Sequence, residues 1–265
     1  MLAHPLLPKL KALRLSGMAD SLEARSELAR EQKLTPVEFL ALLLDDEIDR
    51  RQRKRLARME ASAGFENLKL LSGFDFSAAP TIDRSLVLEM ATCSFIERKE
   101  NWLICGPTGV GKSHLATAIG YEAIKRGYSV SSHATHKLLA ELHASRADGS
   151  VSKLMHKVTT CDLLILDDFG LRPITAQGAD DLYEIIHCRY ERSSIILTSN
   201  RSPAEWPEVF GDSLLASAAL DRLTHHARVT VITGESYRQR SRKHAPSPAE
   251  GKEAHTQQEP VSQTA

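Results

Sequence analysis

Apolar residues are spaced in two different ways along this chain. Up to about residue 64 they recur at helical intervals. Ser21 to Glu31 reads as a short amphipathic helix, and Thr35-Pro36 supplies an N-cap and a first-turn proline for the next one. A long pattern then runs from Val37 to Ala63, with Leu40, Leu43, Leu44 and Ile48 on its apolar side. From about Leu86 the pattern changes to helices alternating with short apolar runs. Trp102 to Cys105, Val130 to His133, Leu163 to Leu166, Ile195 to Thr198 and Val229 to Ile232 are five strand candidates. Helical stretches between them predict an α/β fold, a parallel sheet covered on both faces.

Between the two regimes, Gly64 to Asp83 mixes Gly, Pro and Ser with Phe65, Phe74 and Phe76, as expected of a linker packed onto the following domain. From Ala245 onward Pro, Ser, Gln and Glu dominate, which predicts disorder. The expected organisation is a helical domain over 1–64, a linker over 65–85, an α/β domain over 86–240 and a disordered tail over 241–265. No internal repeat is visible.

Composition narrows the function only a little. The 265 residues are 42% hydrophobic and 26% charged, ordinary for a soluble globular protein. The 34 basic and 34 acidic side chains cancel, so a polyanion has to be met by a local patch. The four cysteines, at 93, 105, 161 and 188, form no C-x-x-C pair; reduced thiols in a cytoplasmic protein fit better than disulfides or zinc. The amino-terminal residues lack a signal-peptide core, and no run is long enough to span a membrane.

The chemistry begins after the first strand. Gly106-Pro107-Thr108-Gly109-Val110-Gly111-Lys112-Ser113 fits G-x-x-x-x-G-K-[ST], with a strand before it and a helix after it. Glycines let backbone N–H groups curl round phosphates, and the helix N-terminus adds positive potential. Lys112 is placed to reach the β- and γ-phosphates of ATP, and the Ser113 hydroxyl to bind Mg²⁺. Leu163 to Leu166 leads into Asp167 and Asp168. At a strand's carboxyl end Asp167 can hold Mg²⁺ through water, and Asp168 can orient or deprotonate the attacking water. The other reading of either aspartate is a cap on the following turn. Asn200 ends the next strand, where an amide can bond both the γ-phosphate and the water, or simply serve a turn.

A separate signal is RRQRKRLAR, from Arg50 to Arg58, with six basic residues in nine and no acid. Arg50, Lys54 and Arg58 share one helix face, with Arg51 and Arg55 beside them. This is either a solvated face or a phosphate-binding stripe.

In order along the chain, GPTGVGKS, LLILDD, IILTSN, ALDRL and GESYR resemble the AAA+ ATPases of the DnaC/IstB branch. The segments GMADSLEAR, TPVEFLALLLDDEIDRR and AGFENLKLLSGFDF are similar to IstB, the ATP-binding helper of insertion-sequence transposases. The resemblance covers about residues 10 to 240. It implies an AAA+ core with a five-stranded parallel sheet, a small all-α amino-terminal domain and no carboxyl-terminal helical lid. It gives Arg222 the position of an arginine finger acting on a neighbouring subunit. Arg238 takes that of a sensor arginine in its own subunit. It implies that the helical insertion from His136 to Lys157 touches DNA, with Lys137, Arg146, Lys153 and Lys157 as the basic candidates, unless they form an ordinary solvated surface. The expected protein is an ATPase that uses ATP and Mg²⁺ and forms a homo-oligomer with ATP sites between subunits. It assembles on duplex DNA through phosphate contacts and stimulates a transposase encoded nearby. A DnaC-type helicase loader is the rival expectation. A metabolic kinase is disfavoured, because no acceptor-binding or lid segment is evident.

Overall fold

The computed structural model describes residues 5–234, 236 and 237. The chain begins with helices α1 (Leu7–Ala12), α2 (Ser16–Glu31) and α3 (Pro36–Ala63). Two 3₁₀ turns, Leu71–Gly73 and Phe76–Ala78, lead to α4 (Arg84–Ala91) and α5 (Ser94–Glu97). The sheet region then runs β1 (Asn101–Cys105), α6 (Lys112–Lys125), β2 (Val130–Ala134), α7 (Thr135–Ser145), α8 (Val151–Thr160), β3 (Leu163–Phe169) and α9 (Ala176–Arg189). It closes with β4 (Ser194–Ser199), α10 (Trp206–Phe210), α11 (Ser213–His225) and β5 (Ala227–Val231). All pairings are parallel, in the order β2-β3-β4-β1-β5. The five expected strands are therefore all present, in an α/β core of AAA+ type.

Parallel strands are joined by helical crossovers that cover both faces, so β1 and β4 are buried along their full length. Alternate residues feed two cores. Trp102, Ile104, Leu163, Ile165 and Ile196 face one, with Val87, Phe95, Leu115 and Ile119 from α4 to α6. Leu103, Leu164, Leu166, Ile195 and Leu197 face the other, with Leu138, Leu182, Trp206 and Leu223.

Two buried polar side chains fix the amino-terminal ends of the strands. Arg189, 1% exposed, donates to the carbonyls of Val158 (2.8 Å), Cys161 (2.9 Å), Asp162 (3.4 Å) and Ser194 (2.6 Å). Burial pushes its pKa down, opposed by Cys161 and Asp162. Asn101 donates from Nδ2 to Leu223 O (3.0 Å) and accepts at Oδ1 from Ile195 N (2.9 Å), tying β1 to α11 and β4.

The amino-terminal helices have a much smaller core, in which Met18, Leu22 and Leu43 are the fully buried residues. At about 2 kcal/mol per large side chain, such a core is modest, and polar contacts supplement it. A Cβ on Gly17 would stand 2.7 Å from Asp46 O and from Glu47 Cα, so only glycine lets α2 approach α3 this closely. Glu47, 6% exposed, accepts from Gly17 N (2.6 Å), Met18 N (3.4 Å) and Arg51 Nε (2.7 Å). Burial acts to raise its pKa, and these bonds more than offset it, leaving it lowered. Arg25 pairs bidentately with Asp46 at 2.8 and 2.7 Å and holds that carboxyl down at about 2.

The expected apolar side of α3 needs correction. Thr35 caps the helix in a capping box with Glu38, and Leu43 is buried, but Leu40, Leu44 and Ile48 are 51%, 45% and 50% exposed. Periodicity identifies a face, but α2 packs on the side of Leu43 and Glu47 and leaves that face to solvent. The other half of α3 behaves differently: Leu56, Met59 and Ala63 pack against the sheet core. The expected tail and the expected absence of a lid fall outside the described residues.

Arg189→Met should cost at least about 3 kcal/mol, because several buried carbonyls are left without a donor at roughly 1 kcal/mol or more each. Urea denaturation measures this, and a destabilisation below about 1 kcal/mol would remove Arg189 from its structural role.

Candidate functional site

The chain leaves β1 at Cys105 and passes through the glycine-rich loop before α6 starts at Lys112. Gly106 has φ 146°, and a Cβ there would lie 2.1 Å from the carbonyl oxygen of Ile232. The loop therefore passes Ile232, the residue after β5, at a distance no side chain permits. Lys112 is 5% exposed and donates to the carbonyls of Gly106 and Pro107, both at 2.9 Å, and to Asn200 Oδ1 at 2.6 Å. Its ammonium group thus connects the end of β1 with the end of β4.

Ser113 Oγ donates to Asp167 Oδ1 at 2.8 Å, and Thr198 Oγ1 donates to the same oxygen. Thr198 Oγ1 also accepts from the backbone N–H of Asp168 at 3.1 Å. The register between β3 and β4 shifts between Leu166 and Phe169, and Asp168 has φ 54°, in the left-handed region. Non-glycine residues rarely adopt that conformation, and such strain concentrates at functional sites. Both aspartates are half-buried.

Lys112, Ser113, Asp167, Asp168 and Asn200 line one cleft of about 650 Å³, together with Phe74, His114, Thr117 and His136. Its size suits a small-molecule ligand. The segment after α3 forms one wall: Phe74 packs edge-on against Phe76 (4.9 Å between centroids) and His114 (5.4 Å). The glycine loop at the head of α6 has the form of a phosphate cradle, and Ser113 with Asp167 could supply the hard oxygen ligands that Mg²⁺ takes.

Of the residues Gly106 to Ser113, Asp167, Asp168 and Asn200, expected from sequence to act together, Thr108 to Ser113 and the other three line this cleft, while Gly106 and Pro107 accept from Lys112 Nζ. Arg222 does not line it. It lies on α11 and lines a separate small cavity with Lys99, Asn101, Arg189 and Glu191, where β1 and β4 begin. Its Nη1 donates to Ala218 O (2.8 Å), and its guanidinium stands 5.6 Å from the Tyr183 ring centroid. Arg238 falls outside the described residues.

The basic candidates divide into two groups. Arg50 is half-buried and bonds Asp20 and Ser16 O (2.8 Å), Arg51 pairs with Glu47, and Arg146 grips the buried Asp181 between α7 and α9. Lys137 pairs with Glu66, and Arg51, Lys137 and Arg146 are exposed despite their partners. Lys54, Arg55, Arg58, Lys153 and Lys157 are also exposed, and Lys157 Nζ donates to Ser62 O at 3.2 Å. This hydrogen bond brings α8 against the last turn of α3, so two basic segments read separately in the sequence are neighbours. The four cysteines are unbridged, and burial raises Cys93 and Cys105 to about 11.

Thr198 and Phe74 are site residues that sequence reasoning missed. Thr198 stands two residues before Asn200, and the two-residue period of a strand was a usable signal. Phe74 carried none, because its place depends on how the segment after α3 folds back.

Comparison with known proteins agrees with this geometry. The family described as IstB-like ATP binding protein matches residues 8–245. The ATP-binding protein of insertion sequence IS5376 from Geobacillus stearothermophilus is 39% identical over 231 residues, 87% of this chain and 92% of that protein. That of insertion sequence IS21 from Pseudomonas aeruginosa is 36% identical over 242 residues, 91% of each chain. A solved structure of DnaI shares the fold, with a TM-score of 0.53 and 23% identity over 62% of this chain and 91% of that one. Among the described residues no helix is long and apolar enough to cross a membrane. With the family match running over the glycine loop, the paired aspartates and the facing amide, this chain belongs to the IstB-like ATP-binding protein family.

Proposed function

We propose that this protein is a DNA-dependent ATPase that assembles on duplex DNA and recruits and stimulates a transposase in insertion-sequence transposition. The observation that carries the reading is the meeting of Lys112, Ser113, Asp167, Asp168 and Asn200 in one cleft. The insertion-sequence origin of the relatives supports the transposition context.

In this reading Lys112 exchanges its loop carbonyls for oxygens of the β- and γ-phosphates. Ser113 and Asp167 hold Mg²⁺, which when bound neutralises charge on the phosphates. Thr198 keeps the Asp167 carboxylate aimed at Ser113. Asp168 orients the attacking water and takes its proton as the bond from the γ-phosphorus to the β-bridging oxygen breaks, giving ADP and phosphate. The Asn200 amide oxygen accepts from Lys112, so its NH₂ group is the part that donates to the γ-phosphate or the water. Arg222 completes the site of a neighbouring subunit, and its position away from its own cleft supports action in trans. Arg238 takes the sensor role within the subunit.

DNA binding falls to the exposed basic residues near the end of α3 and on α8, chiefly Lys54, Arg55, Arg58, Lys153 and Lys157. Arg50, Arg51, Lys137 and Arg146 already have acidic partners and contribute less. Side chains that meet phosphates in this way bind with little sequence preference and strong salt dependence.

Asp168→Asn should bind ATP and assemble on DNA yet lose hydrolysis, whereas Lys112→Ala should lose nucleotide binding itself. Nucleotide titration and single-turnover hydrolysis separate the two. An Asp168→Asn protein that hydrolyses at the wild-type rate would remove Asp168 from the chemistry.

Neutralising Lys54, Arg55 and Arg58 together should flatten the slope of log affinity for duplex DNA against log salt by about 0.9 for each phosphate no longer neutralised. An unchanged slope returns this face to ordinary solvation.

Arg222→Ala should bind ATP and fold normally but lose DNA-stimulated hydrolysis. Mixed with Lys112→Ala, it should recover part of the rate, because interfaces pairing a sound site with an intact finger then form. No recovery, with co-assembly shown independently by crosslinking, would rule out action in trans.

A further inference from the structure

At the end of the sheet away from the nucleotide cleft, a second group of side chains converges that the proposed activity does not use. The turn between α9 and β4 presents Glu191, and the end of α11 presents His225 and His226. One ligand atom from each of the three lies within 4.8 Å of the others, and all three residues are exposed. His226 Nε2 is 3.7 Å from Glu191 Oε1. We propose that Glu191, His225 and His226 form a binding site for a borderline divalent transition metal, with Zn²⁺ as the fitting ion.

Consecutive helical residues normally point apart, because they lie about 100° apart round the axis. Here the helix ends between them. His226 leaves helical geometry at φ −123°, ψ 50°, and the two rings come to 4.0 Å between centroids with planes at 51°. The Tyr190 hydroxyl bonds His225 Nδ1 at 2.8 Å and fixes the orientation of that ring. Partners of this kind orient metal-ligating imidazoles and are worth one to two orders of magnitude in affinity. Glu191 has φ 57°, a left-handed conformation that costs a non-glycine residue energy and directs the turn.

Both arms of the site are also fixed from below. Asn101 binds Leu223 O on α11 and Ile195 N on β4, and its own N–H donates to His226 O at 2.9 Å. Arg189, two residues before Glu191, anchors the end of α9 to the backbone of α8, β4 and the turn between α8 and β3. The three donors therefore stand on two backbone segments whose separation is set by buried hydrogen bonds. Little ordering remains to be done when an ion binds, the condition that favours a weakly enclosed site.

Two imidazoles and one carboxylate suit Zn²⁺, with water completing the tetrahedron, whereas Mg²⁺ and Ca²⁺ favour all-oxygen sets. The charge environment is mixed. Lys99 and Arg222 line the neighbouring cavity and oppose a dication. Glu191 itself and Asp221 facing Tyr190 offset them, whereas Glu100 faces His226 already paired bidentately with Arg98. A bound ion would clasp the end of α11, which carries Arg222, to the α9–β4 turn. The metal site stands independently of whether Arg222 acts on a neighbour.

The test is titration of tag-free full-length protein with Co²⁺ as a visible-absorbing probe and displacement by Zn²⁺, without nucleotide and with thiols reduced. Wild type should take up one equivalent at this site with a nitrogen–oxygen spectrum. Glu191→Gln, His225→Ala and His226→Ala should each weaken uptake at least about tenfold, while His143→Ala, at an exposed histidine elsewhere, leaves it unchanged. All three ligand changes are at exposed positions, and circular dichroism checks that each variant is folded. Equal affinity in wild type and the three variants overturns the proposal, as does an absence of uptake. A sulfur-to-cobalt charge-transfer band would also overturn it, by putting the ion on a cysteine.

Discussion

The Asp167 carboxylate is the point on which the nucleotide cleft depends. Its Oδ1 accepts hydrogen bonds from Ser113 at the start of α6 and from Thr198 near the end of β4, while its own strand lies beside β4 in the sheet. Parallel strands cannot be joined by tight hairpins, so the ends of β1, β3 and β4 arrive from crossovers far apart in sequence. The backbone ladders set the register of the strands, and side chains tie together the segments that follow their ends. Asp167 does so on one side of the cleft, and Lys112 does so on the other by binding Asn200. The Asp168 backbone is turned into the left-handed region beside this junction, where Thr198 also accepts from its N–H. The loop glycines, the bulge in β3 and the placement of Asn200 follow from bringing three strand ends together round one pair of charges.

At the opposite end of the sheet neutral and cationic groups do the equivalent work. Asn101 and Arg189 are buried and satisfied by backbone atoms instead of by opposite charges, although Arg189 Nε has no partner among the described residues. Buried polar groups are tolerated only when nearly fully bonded, so they specify one arrangement of the turns they touch. The sheet is therefore fixed at both edges of its strands, by charge where the ligand binds and by backbone recognition where α11 ends.

The strands β1, β3 and β4 were legible because each contains a short, continuous apolar run, the pattern that burial on both faces demands, whereas the edge strands β2 and β5 have mixed sequences. The glycine loop was legible because its spacing and its strand–helix context are a single physical device. Other features depended on partners that lie far off in the sequence. Arg50 and Arg146 read as solvent-facing cations, yet their carboxylates are Asp20 and Asp181, 30 and 35 residues away. The leucines of α3 showed the correct period, but period does not reveal whether another helix covers the face. Gly17, in the first turn of α2, reads locally as a helix breaker; it is required by close approach to Glu47 on a different helix.

The two halves of α3 have a mechanical consequence. From Leu56 onward the helix is held in the sheet core, and its cap, Gly64, lies in the wall of the nucleotide cleft. Ahead of Leu56 extends about 30 Å of helix, at 1.5 Å per residue, braced among the described residues by α2 and by the small core that α1 joins. A rigid rod pivoting at its base converts angle into distance, and a tilt of about 10° at the cleft moves the tip of α3 by roughly 5 Å. Leu40 and Leu44, exposed toward the far end of α3, are the leucines that any such tilt would displace most along this helix.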